Sequence, residues 1–516
     1  MIIKGFVKKG QYFDSVTLMR IASETTNMDG VVDSAVVMGT KENLSILKNS
    51  GLLLNEFLTA KDSDLLIAIK ANSQEFITKA LKKTNTLFEE IRNKSENNED
   101  FKPSSLNGAI EKYPESNICL ISIAGKYAAS EAKKALDKNI NVMLFSDNVS
   151  IEQELELKKY AKKKGLLVMG PDCGTAIING VPLAFANVVP EGNIGIVAAS
   201  GTGAQEVSSV IANQGAGVSQ VIGTGGRDVR SDIGGIMVVE AMRALSKDPE
   251  TKVIVIVSKP PSEDVLQKIA NEIIKIKKPV VGILIGGNPK VLEDANAIVA
   301  TNLEEAALIA TSLSKGESLQ NVKKFLSDRE KSLDALADEL VKGVEGKYLR
   351  GLFSGGTLCD ETQLLFREYG LGDCYGNAPL NPKYKLKDVW KSKENTIIDM
   401  GEDEFTVGRP HPMIDFSLRK KKLLEEAKDS DVAIIMLDVV LGYGSNLDPA
   451  GELAPNIKKV KEISPKTAII CSICGTNGDP QIKSSIKKTL EESGASVLES
   501  NAVASQLVSK IINRLV

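Results

Sequence analysis

The sequence predicts an α/β protein of several domains, with Rossmann-like and flavodoxin-like parallel sheets and a small α+β unit at its N-terminal end. Short apolar runs alternate with amphipathic helical stretches through most of the chain, which is typical of parallel sheets with right-handed crossovers. At 516 residues, the chain exceeds the size of one hydrophobic core and should divide into several domains. Its 25% charged and 42% hydrophobic residues are ordinary for a globular protein.

Residues 1–92 alternate between predicted strands and predicted helices, which indicates a small α+β domain. Its strands are predicted at 2–7, 31–37 and 65–69, with helices that begin near Asp14 and Lys41 and one that passes through Phe76. Residues 93–116 are polar and predict a solvated linker. We expect the N-terminal domain to provide an interaction surface for other subunits.

After the linker, the same alternation predicts two further α/β domains, at 117–190 and 191–313. A charged helical stretch at 314–346 is predicted to be a connector, and residues 347–516 are predicted to form a last α/β domain. The predicted strands lie at 118–123, 142–145, 166–169, 194–198, 253–257, 280–285, 348–353, 432–437 and 467–472.

Charge and cysteine content exclude several classes of protein. A net charge of −3 provides no basic surface, so we expect neither nucleic acid nor an anionic membrane as a partner. The N-terminus runs directly into a predicted strand, and no apolar run approaches the length of a membrane span, which predicts a cytoplasmic protein. Cys471 and Cys474 form a lone C-x-x-C without a second ligand pair, so the sequence predicts reduced thiols and no metal site.

Two distant segments share one design, in which a strand leads through a turn of small residues into a helix. Glycine lets such a turn bring the free amides of the first helical turn onto one anion, which the helix dipole also favours. The alternative is a tight β-to-α turn with a capped helix, and Thr202 with Gln205 has the spacing of a capping box. The predicted phosphate-binding residues are Ser200, Gly201, Thr202 and Gly203 in the first turn, and Ser354, Gly355, Gly356 and Thr357 in the second.

Three side chains are candidates for catalysis. His411 is the only imidazole and lies between two prolines, so it could be a general acid or an oxyanion partner, or else a structural histidine that bonds a loop carbonyl. Arg227, or Arg230 beside it, and Arg409 could clamp a phosphate or a carboxylate with two hydrogen bonds.

Two cysteines lie in or beside the glycine-rich turns. Cys359 falls in the first turn of a predicted helix, where its thiolate would be stabilised, and Cys173 precedes Gly174. Each could be a nucleophile, although a small packing residue is the simpler interpretation.

These motifs resemble a known superfamily. Residues 170–174, the turn at 200–202 with Glu206, and 223–226 are similar in order and spacing to the α subunit of succinyl-CoA synthetase. Residues 353–360 and 475–478, with Glu499 and Asn501, look like the carboxy-terminal ligase domain of its β subunit. The motifs at 12–19, 145–148, 169–174 and 408–415 resemble the FdrA family along the whole length.

The resemblance implies a CoA-binding-like Rossmann domain at 117–190, an α-like ligase domain at 191–313 and a β-like ligase domain at 347–516. In that superfamily the two turns start paired helices that face each other and share a phosphoryl group. The residues that it implies for a substrate or CoA-like pocket are Gly125, Asp147, Asn148, Asp172, Cys173, Gly225 and Gly226.

The chain departs from the synthetase at three points. The synthetase carries its phosphoryl group on a histidine after a strand equivalent to 280–285, where this chain has Gly286 to Lys290 and no histidine. Neither an ATP-grasp domain nor the first glycine-rich loop for CoA is recognisable. We therefore expect phosphate as a substrate, CoA only as a possible ligand, and no phosphohistidine.

The FdrA resemblance implies a subunit of an oxamate carbamoyltransferase, which converts oxalurate and phosphate to oxamate and carbamoyl phosphate in allantoin degradation. One alternative is an acyl-CoA synthetase that acts with a separate nucleotide-binding partner, and another is a non-catalytic regulator or scaffold. The expected partners are a small carboxylate or acyl phosphate and other subunits of the same enzyme, in a homo- or hetero-oligomer.

Overall fold

The protein is a multidomain α/β molecule, which confirms the predicted fold class. The structure is a computed structural model that describes residues 1–11, 13, 15–96, 103, 105–406 and 410–515. It divides into two compact units, one of residues 1–116 with 402–415 and the other of residues 117–401 with 416–516. No helix among the described residues combines the length and apolar character that crossing a bilayer requires.

The first unit is built on a three-stranded antiparallel sheet in the order β1-β3-β2. Every residue of β3 except Lys70 is buried, because helices and loops cover both faces of this central strand. The predicted linker contains helix α4, while residues 97–102 and 104 lie outside the described part. The elements are β1 (Ile2–Lys8), α1 (Ser15–Thr26), β2 (Val31–Met38), α2 (Lys41–Asn49), β3 (Leu65–Ala71), α3 (Gln74–Glu96) and α4 (Leu106–Lys112).

The second unit begins with a small parallel sheet and continues into a seven-stranded one. Its sheets have the orders β4-β5-β6 and β13-β12-β11-β9-β10-β7-β8. The elements are β4 (Ile118–Ile121), α5 (Gly125–Asp137), β5 (Asn141–Leu144), α6 (Ile151–Lys164), β6 (Val168–Met169), β7 (Thr175–Ile178), β8 (Val181–Ala184), β9 (Glu191–Ala198), α7 (Gly201–Asn213), β10 (Val218–Gly223), α8 (Ile236–Lys247), β11 (Val253–Ser258), α9 (Glu263–Ile273), β12 (Val280–Leu284), α10 (Lys290–Asp294), β13 (Ile298–Val299) and α11 (Leu303–Ser314).

Helix α12 (Leu319–Leu340) occupies the predicted connector and leads into a six-stranded parallel sheet of order β15-β16-β14-β17-β18-β19. The short helix α14 belongs to the first unit. The elements are β14 (Tyr348–Phe353), α13 (Gly356–Glu368), β15 (Tyr375–Gly376), β16 (Thr396–Asp399), α14 (Asp403–Thr406), α15 (Ser417–Glu426), β17 (Val432–Val440), α16 (Pro449–Ile463), β18 (Ala468–Cys474), α17 (Lys483–Glu492), β19 (Ser496–Leu498) and α18 (Asn501–Leu515).

Several strands were not predicted. The hairpin of β7 and β8 turns at Asn179-Gly180, where both residues have positive φ. An Asn-Gly pair between two short β-branched runs is a strong hairpin signal, so this element could have been found from the sequence. Strands β10 and β16 were also missed, and both are short runs whose place between other strands depends on long-range pairing.

A buried ion network ties helix α6 to the turn that follows β10. The Lys158 ammonium lies 2.7 Å from a carboxylate oxygen of Glu154 and 2.9 Å from one of Asp228, and it donates to the carbonyl of Thr224 at 3.0 Å. All three charged side chains are fully buried. Asp228 in turn accepts the amides of Met237 and Val238 at the start of α8.

Replacement of Lys158 by alanine should therefore lower the free energy of unfolding by about 3–5 kcal/mol, because it leaves Asp228 buried without its cation and Glu154 with Arg227 alone. Urea-induced unfolding measures this change. The exposed neighbour Lys159 is the matched control, and Lys159→Ala should change stability by about 0.5 kcal/mol or less. Equal effects of the two variants would contradict a structural role for the network.

A buried carboxyl pair lies where helices α7 and α13 pack against the start of α18. Glu206 accepts the Asn501 amide at 2.9 Å, and Glu361 accepts the Asn501 side-chain amide at 2.8 Å and the Leu303 amide at 2.7 Å. Burial raises the pKa of Glu206, and burial, with the charges of Glu206 and Glu304, raises the pKa of Glu361 to about 8.

A carboxyl whose pKa is higher in the folded than in the unfolded chain stabilises the fold only while it is protonated. The stabilisation from Glu361 should be complete below pH 4.5 and be lost as the pH rises to about 8. Thermal unfolding across this range should show the wild type losing stability relative to Glu361→Gln. In contrast, Glu317→Gln, at an exposed position, should follow the wild type, and a parallel profile for Glu361→Gln would refute the assignment.

Candidate functional site

Both glycine-rich turns lie at the point where the strand order of a parallel sheet reverses. Strand β9 has β10 on one side and β11 on the other, and β14 likewise lies between β16 and β17. Ligands of open α/β sheets bind outside the carboxyl ends of strands at such switch points. Residues 199–201 follow β9 and residues 354–356 follow β14, so each turn occupies the expected place.

The first turn is capped by Ser200. Its hydroxyl accepts the Gly203 amide at 3.1 Å, and helix α7 begins at Gly201. The sequence had suggested Thr202 as the capping residue, and this was wrong because the helix begins one residue before Thr202. Among the described residues, the amides of Gly201 and Thr202 have no hydrogen-bond acceptor. Two donors at the positive end of a 13-residue helix are therefore available to an anion.

The second turn differs from the first because a carboxylate of the protein binds it. Asp438, at the carboxyl end of β17, accepts the amides of Ser354 at 2.8 Å and Gly355 at 2.7 Å, and the Ser354 hydroxyl. The amides of Gly356 and Thr357 have no acceptor within the described part of the chain. Phosphate binding by Ser354 and Gly355 stays a prediction, and at these two amides a phosphate would compete with Asp438.

The two turns meet, as the sequence predicted. The hydroxyls of Ser200 and Thr357 lie 2.5 Å apart, both buried. A side-chain Cβ placed on Gly355 would lie 3.1 Å from the Cγ2 of Thr202, so the backbone of one turn packs on the side chain of the other. The starts of α7 and α13 thus converge on one region.

A small pocket opens beside the first turn. Its volume is about 30 Å³, counted as the space that the centre of a water-sized molecule can reach. This is enough for a few water molecules or a small anion. Of the predicted pocket residues, Gly125, Asp147 and Asn148 do not line it. The residues that do are Asp172, Cys173, Gly174, Thr175, Ala198, Ala199, Ser200, Gly201, Gly223, Gly225 and Gly226.

Close backbone packing fills the space beside Gly125. A Cβ on Gly125 would lie 2.1 Å from the Asp147 carbonyl oxygen and 2.6 Å from the Asn148 carbonyl carbon. The loop at 147–148 therefore covers the start of α5, where an incoming phosphate would need open amides. The side chains of Asp147 and Asn148 are exposed, and a ligand role for them stays a prediction.

A polar joint fixes the module of the seven-stranded sheet against the module of the six-stranded sheet. Asp479 accepts the Val188 amide at 2.7 Å, the Asn187 side chain at 2.9 Å and the Thr476 amide at 2.7 Å. Burial nevertheless raises the pKa of Asp479, since desolvation outweighs these hydrogen bonds. Asn187 also donates to the Leu441 carbonyl at 3.0 Å, so both modules contribute to this joint.

Arg227 is already engaged in structural contacts. Its Nε lies 2.8 Å from the buried Glu154 carboxylate, and its Nη2 donates to the Val149 carbonyl at 2.8 Å. Arg230 is exposed and forms no ion pair with another described residue. Of the two arginines, Arg230 has the guanidinium that remains available to a ligand.

His411 belongs to the first unit, whereas both turns belong to the second. Its Nδ1 accepts the Met413 amide at 3.2 Å, and its carbonyl accepts the amides of Ile414 and Asp415. These contacts are those of a histidine that orders its own loop, and its catalytic role stays a prediction. Arg409 lies outside the described residues.

The cysteines at the turns are not activated. Burial raises the pKa of the Cys173 thiol to about 12. Burial, together with Asp399, Asp360 and Asp438, raises that of Cys359 well above its usual value. The expectation of a stabilised Cys359 thiolate was wrong, because these carboxylates and desolvation outweigh the helix dipole.

Asp438 and its partner Arg419 were missed in the sequence. An acidic residue inside the apolar run of β17 is the signal that could have revealed Asp438, since a charge is rarely buried without a partner. Arg419, in a helix rich in lysine and arginine, gave no such signal.

Three family models match parts of the chain. They are "AllF, heavy metal-associated domain" over residues 1–103, "CoA binding domain" over 190–286 and "CoA-ligase" over 352–511. The CoA-binding match thus covers β9 to β12 and the first turn. It does not cover residues 117–190, where the resemblance had placed this function.

Residues 1–103 do not fit a heavy-metal site. They contain neither cysteine nor histidine, the ligands that soft and borderline metals prefer. Within the described ranges, no group of three or more His, Cys, Asp or Glu side chains could hold a metal ion.

Relatives extend over the modules or the whole chain. The α subunit 2 of an ADP-forming succinate–CoA ligase of Archaeoglobus fulgidus is 30% identical over 178 residues, 33% of this chain and 60% of the relative. An apo dinucleotide-forming acetyl-coenzyme A synthetase 1 of Candidatus Korarchaeum cryptofilum aligns over 77% of this chain and 83% of its own, at 16% identity and a TM-score of 0.34.

The uncharacterized protein YahF of Escherichia coli K12 is 41% identical over 520 residues, 99% of this chain and 98% of the relative. The matches confirm the predicted resemblance to the succinyl-CoA synthetase superfamily, with an α-like and a β-like ligase module fused in one chain. An AllF-type N-terminal domain precedes a CoA-binding and a CoA-ligase domain in this chain, which belongs to the family of YahF.

Proposed function

We propose that the chain is a subunit of a group-transfer enzyme that holds phosphate, or the phosphate end of an acyl or carbamoyl phosphate, beside the first turn. The observation that carries this proposal is the pair of unoccupied amides of Gly201 and Thr202 at the start of α7, next to the pocket. Backbone amides at a helix start bind anions without a cationic side chain. The hydroxyls of Ser200 and Thr357 lie beside them and could add further donors.

The lack of a histidine on the loop after β12 favours transfer without a phosphorylated enzyme. The only histidine of the sequence is His411, and the loop after β12 reads Gly-Gly-Asn-Pro-Lys at 286–290. A Cβ on Gly286 would lie 3.6 Å from the side chain of Leu364 in α13, so this loop packs against the second paired helix. In this chain, the phosphate would act as a whole molecule rather than as a group carried on that loop.

Carbamoyl transfer from oxalurate to phosphate uses phosphate as a whole molecule and needs no phosphorylated enzyme. A phosphate oxygen attacks the carbamoyl carbon, the bond from that carbon to the oxamate nitrogen breaks, and the nitrogen takes a proton. Orientation and electrostatic stabilisation could drive such a step without a covalent intermediate. Helix α7 would hold the nucleophilic phosphate, and the exposed Arg230 is a candidate for the carboxylate of the substrate.

The second candidate is an acyl-CoA synthetase that works with a nucleotide-binding partner subunit. The CoA-binding match at 190–286 and the CoA-ligase match at 352–511 favour it. The loop at 286–290 contains no histidine. This function would therefore require another group to carry the phosphoryl group. Binding of CoA would favour the synthetase over the carbamoyl transferase.

Gly201→Ala should lower the affinity for inorganic phosphate about tenfold or more, because the new methyl group would occupy the pocket in front of the two amides. The fold should tolerate it, since the only atom near that Cβ is the Thr175 Oγ1 at 3.5 Å. Isothermal titration calorimetry measures the affinity. The matched control is Gly343→Ala, where a Cβ meets nothing within 4 Å, and it should bind phosphate as the wild type does.

The activity itself can be measured by phosphorolysis. Purified protein, alone and with the subunits that copurify with it, should form carbamoyl phosphate from oxalurate and phosphate, and Gly201→Ala should reduce the rate. If no combination yields carbamoyl phosphate while ATP is consumed only when CoA is present, the synthetase is the correct function.

A further inference from the structure

The second turn already holds an anion, and that anion is part of the protein. The carboxylate of Asp438 is 1% exposed and lies against two consecutive amides, those of Ser354 and Gly355. The Ser354 hydroxyl lies 3.1 Å from one of its oxygens and 3.0 Å from the other. This is the arrangement by which a glycine-rich turn binds a phosphate oxygen, with a carboxylate in its place.

Arg419 fixes this carboxylate from the other side. The guanidinium is fully buried, and its Nη2 lies 2.6 Å from the Asp438 Oδ1. The same guanidinium donates to the Leu352 carbonyl at 2.8 and 3.1 Å, and to the Asp438 carbonyl. Because Leu352 lies in β14 and Asp438 in β17, the arginine attaches the carboxylate to the neighbouring strand as well. A rotation of the Asp438 side chain out of the turn would leave a buried guanidinium without its anion, which is strongly unfavourable.

The surrounding charges also disfavour a second anion at this turn. A Cβ on Gly356 would lie 2.6 Å from a carboxylate oxygen of Asp399, and Asp360 lies in the first turns of the same helix, paired with Lys259. A phosphate at Ser354 and Gly355 would therefore meet the carboxylates of Asp438 and Asp399. The first-turn amides of α13, those of Gly356 and Thr357, are as free as those of Gly201 and Thr202 in α7. The carboxylate of Asp399 lies beside Gly356, whereas among the described residues no carboxylate lies within 4 Å of a Cβ on Gly201.

We propose that the two turns have different roles: the first binds external phosphate, whereas the second is permanently filled by Asp438. This inference rests on the proposed function, since it names which turn takes the ligand. Asp438 is a positioning residue, because by fixing Ser354 and Gly355 it holds the Thr357 hydroxyl against Ser200. A phosphoryl group cannot pass from one turn to the other, so the reaction is confined to the first turn.

Two small substitutions provide the first arm of the test. Gly201→Ala and Ser354→Ala are compared by titration with inorganic phosphate. We expect Gly201→Ala to weaken binding about tenfold or more. Ser354→Ala adds no atom beside Thr202 and should leave the affinity within about threefold of the wild type. Equal weakening by both variants would overturn the inference while leaving the phosphate site in place. If neither variant weakens binding, the phosphate site beside the first turn is wrong and the inference is overturned with it.

Chemical rescue provides the second arm. Asp438→Ala removes the carboxylate and leaves room for formate, so the variant should melt at a lower temperature and formate should restore part of the loss. Sodium chloride at the same ionic strength controls for screening, and the wild type should gain little from formate. The inference is overturned if formate stabilises the variant no more than chloride does. If Asp438→Ala does not fold in either salt, the comparison of Gly201→Ala with Ser354→Ala decides.

Discussion

The contact between the Ser200 and Thr357 hydroxyls is the constraint on which the site depends. It joins the starts of two helices that belong to separate sheets, α7 after β9 and α13 after β14. Each helix start lies where the strand order of its sheet reverses, which is the usual place for a ligand crevice. Because the two helix starts touch, the crevice of one sheet adjoins that of the other. The unoccupied amides and the pocket lie beside this junction, because Ser200 takes part in the contact and also lines the pocket.

The junction is polar although it is buried, which affects both the stability of the fold and the relative position of the modules. Buried polar groups destabilise a fold unless they are hydrogen-bonded, and nearly all of those here have partners. Asp479 and Asn187 bind across the two modules, and Asn501 bonds both Glu206 and Glu361. Each of these bonds requires one relative position of the modules, whereas apolar surfaces alone would tolerate some sliding. The polar groups thus specify the geometry that brings the two turns together.

The two turns look alike in sequence but differ in chemical state. Both helix starts have free amides, but the two residues before α13 are bound to a buried carboxylate that an arginine neutralises. This difference and the missing histidine after β12 support the proposal that no phosphoryl group is shuttled between two equivalent turns in this chain. The pocket beside the first turn has the size and the donors for a small anion, which agrees with a reaction in which phosphate is a reactant.

The sequence by itself determined the fold class, the positions of both turns and the lack of a histidine after β12, because these depend on local patterns and on residue identity. Alternating apolar runs predicted most parallel strands, and the Ser-Gly turns predicted where the two helices begin to within a few residues. Only the tertiary structure decided that Asp438 fills the second turn, that Arg227 is bound to Glu154, and that Gly125 faces a covering loop instead of a pocket. These facts depend on contacts between residues that are far apart in the chain, such as the 84 positions between Ser354 and Asp438. Local sequence does not encode which distant carboxylate will reach a given amide, because that is set by the packing of whole strands and helices.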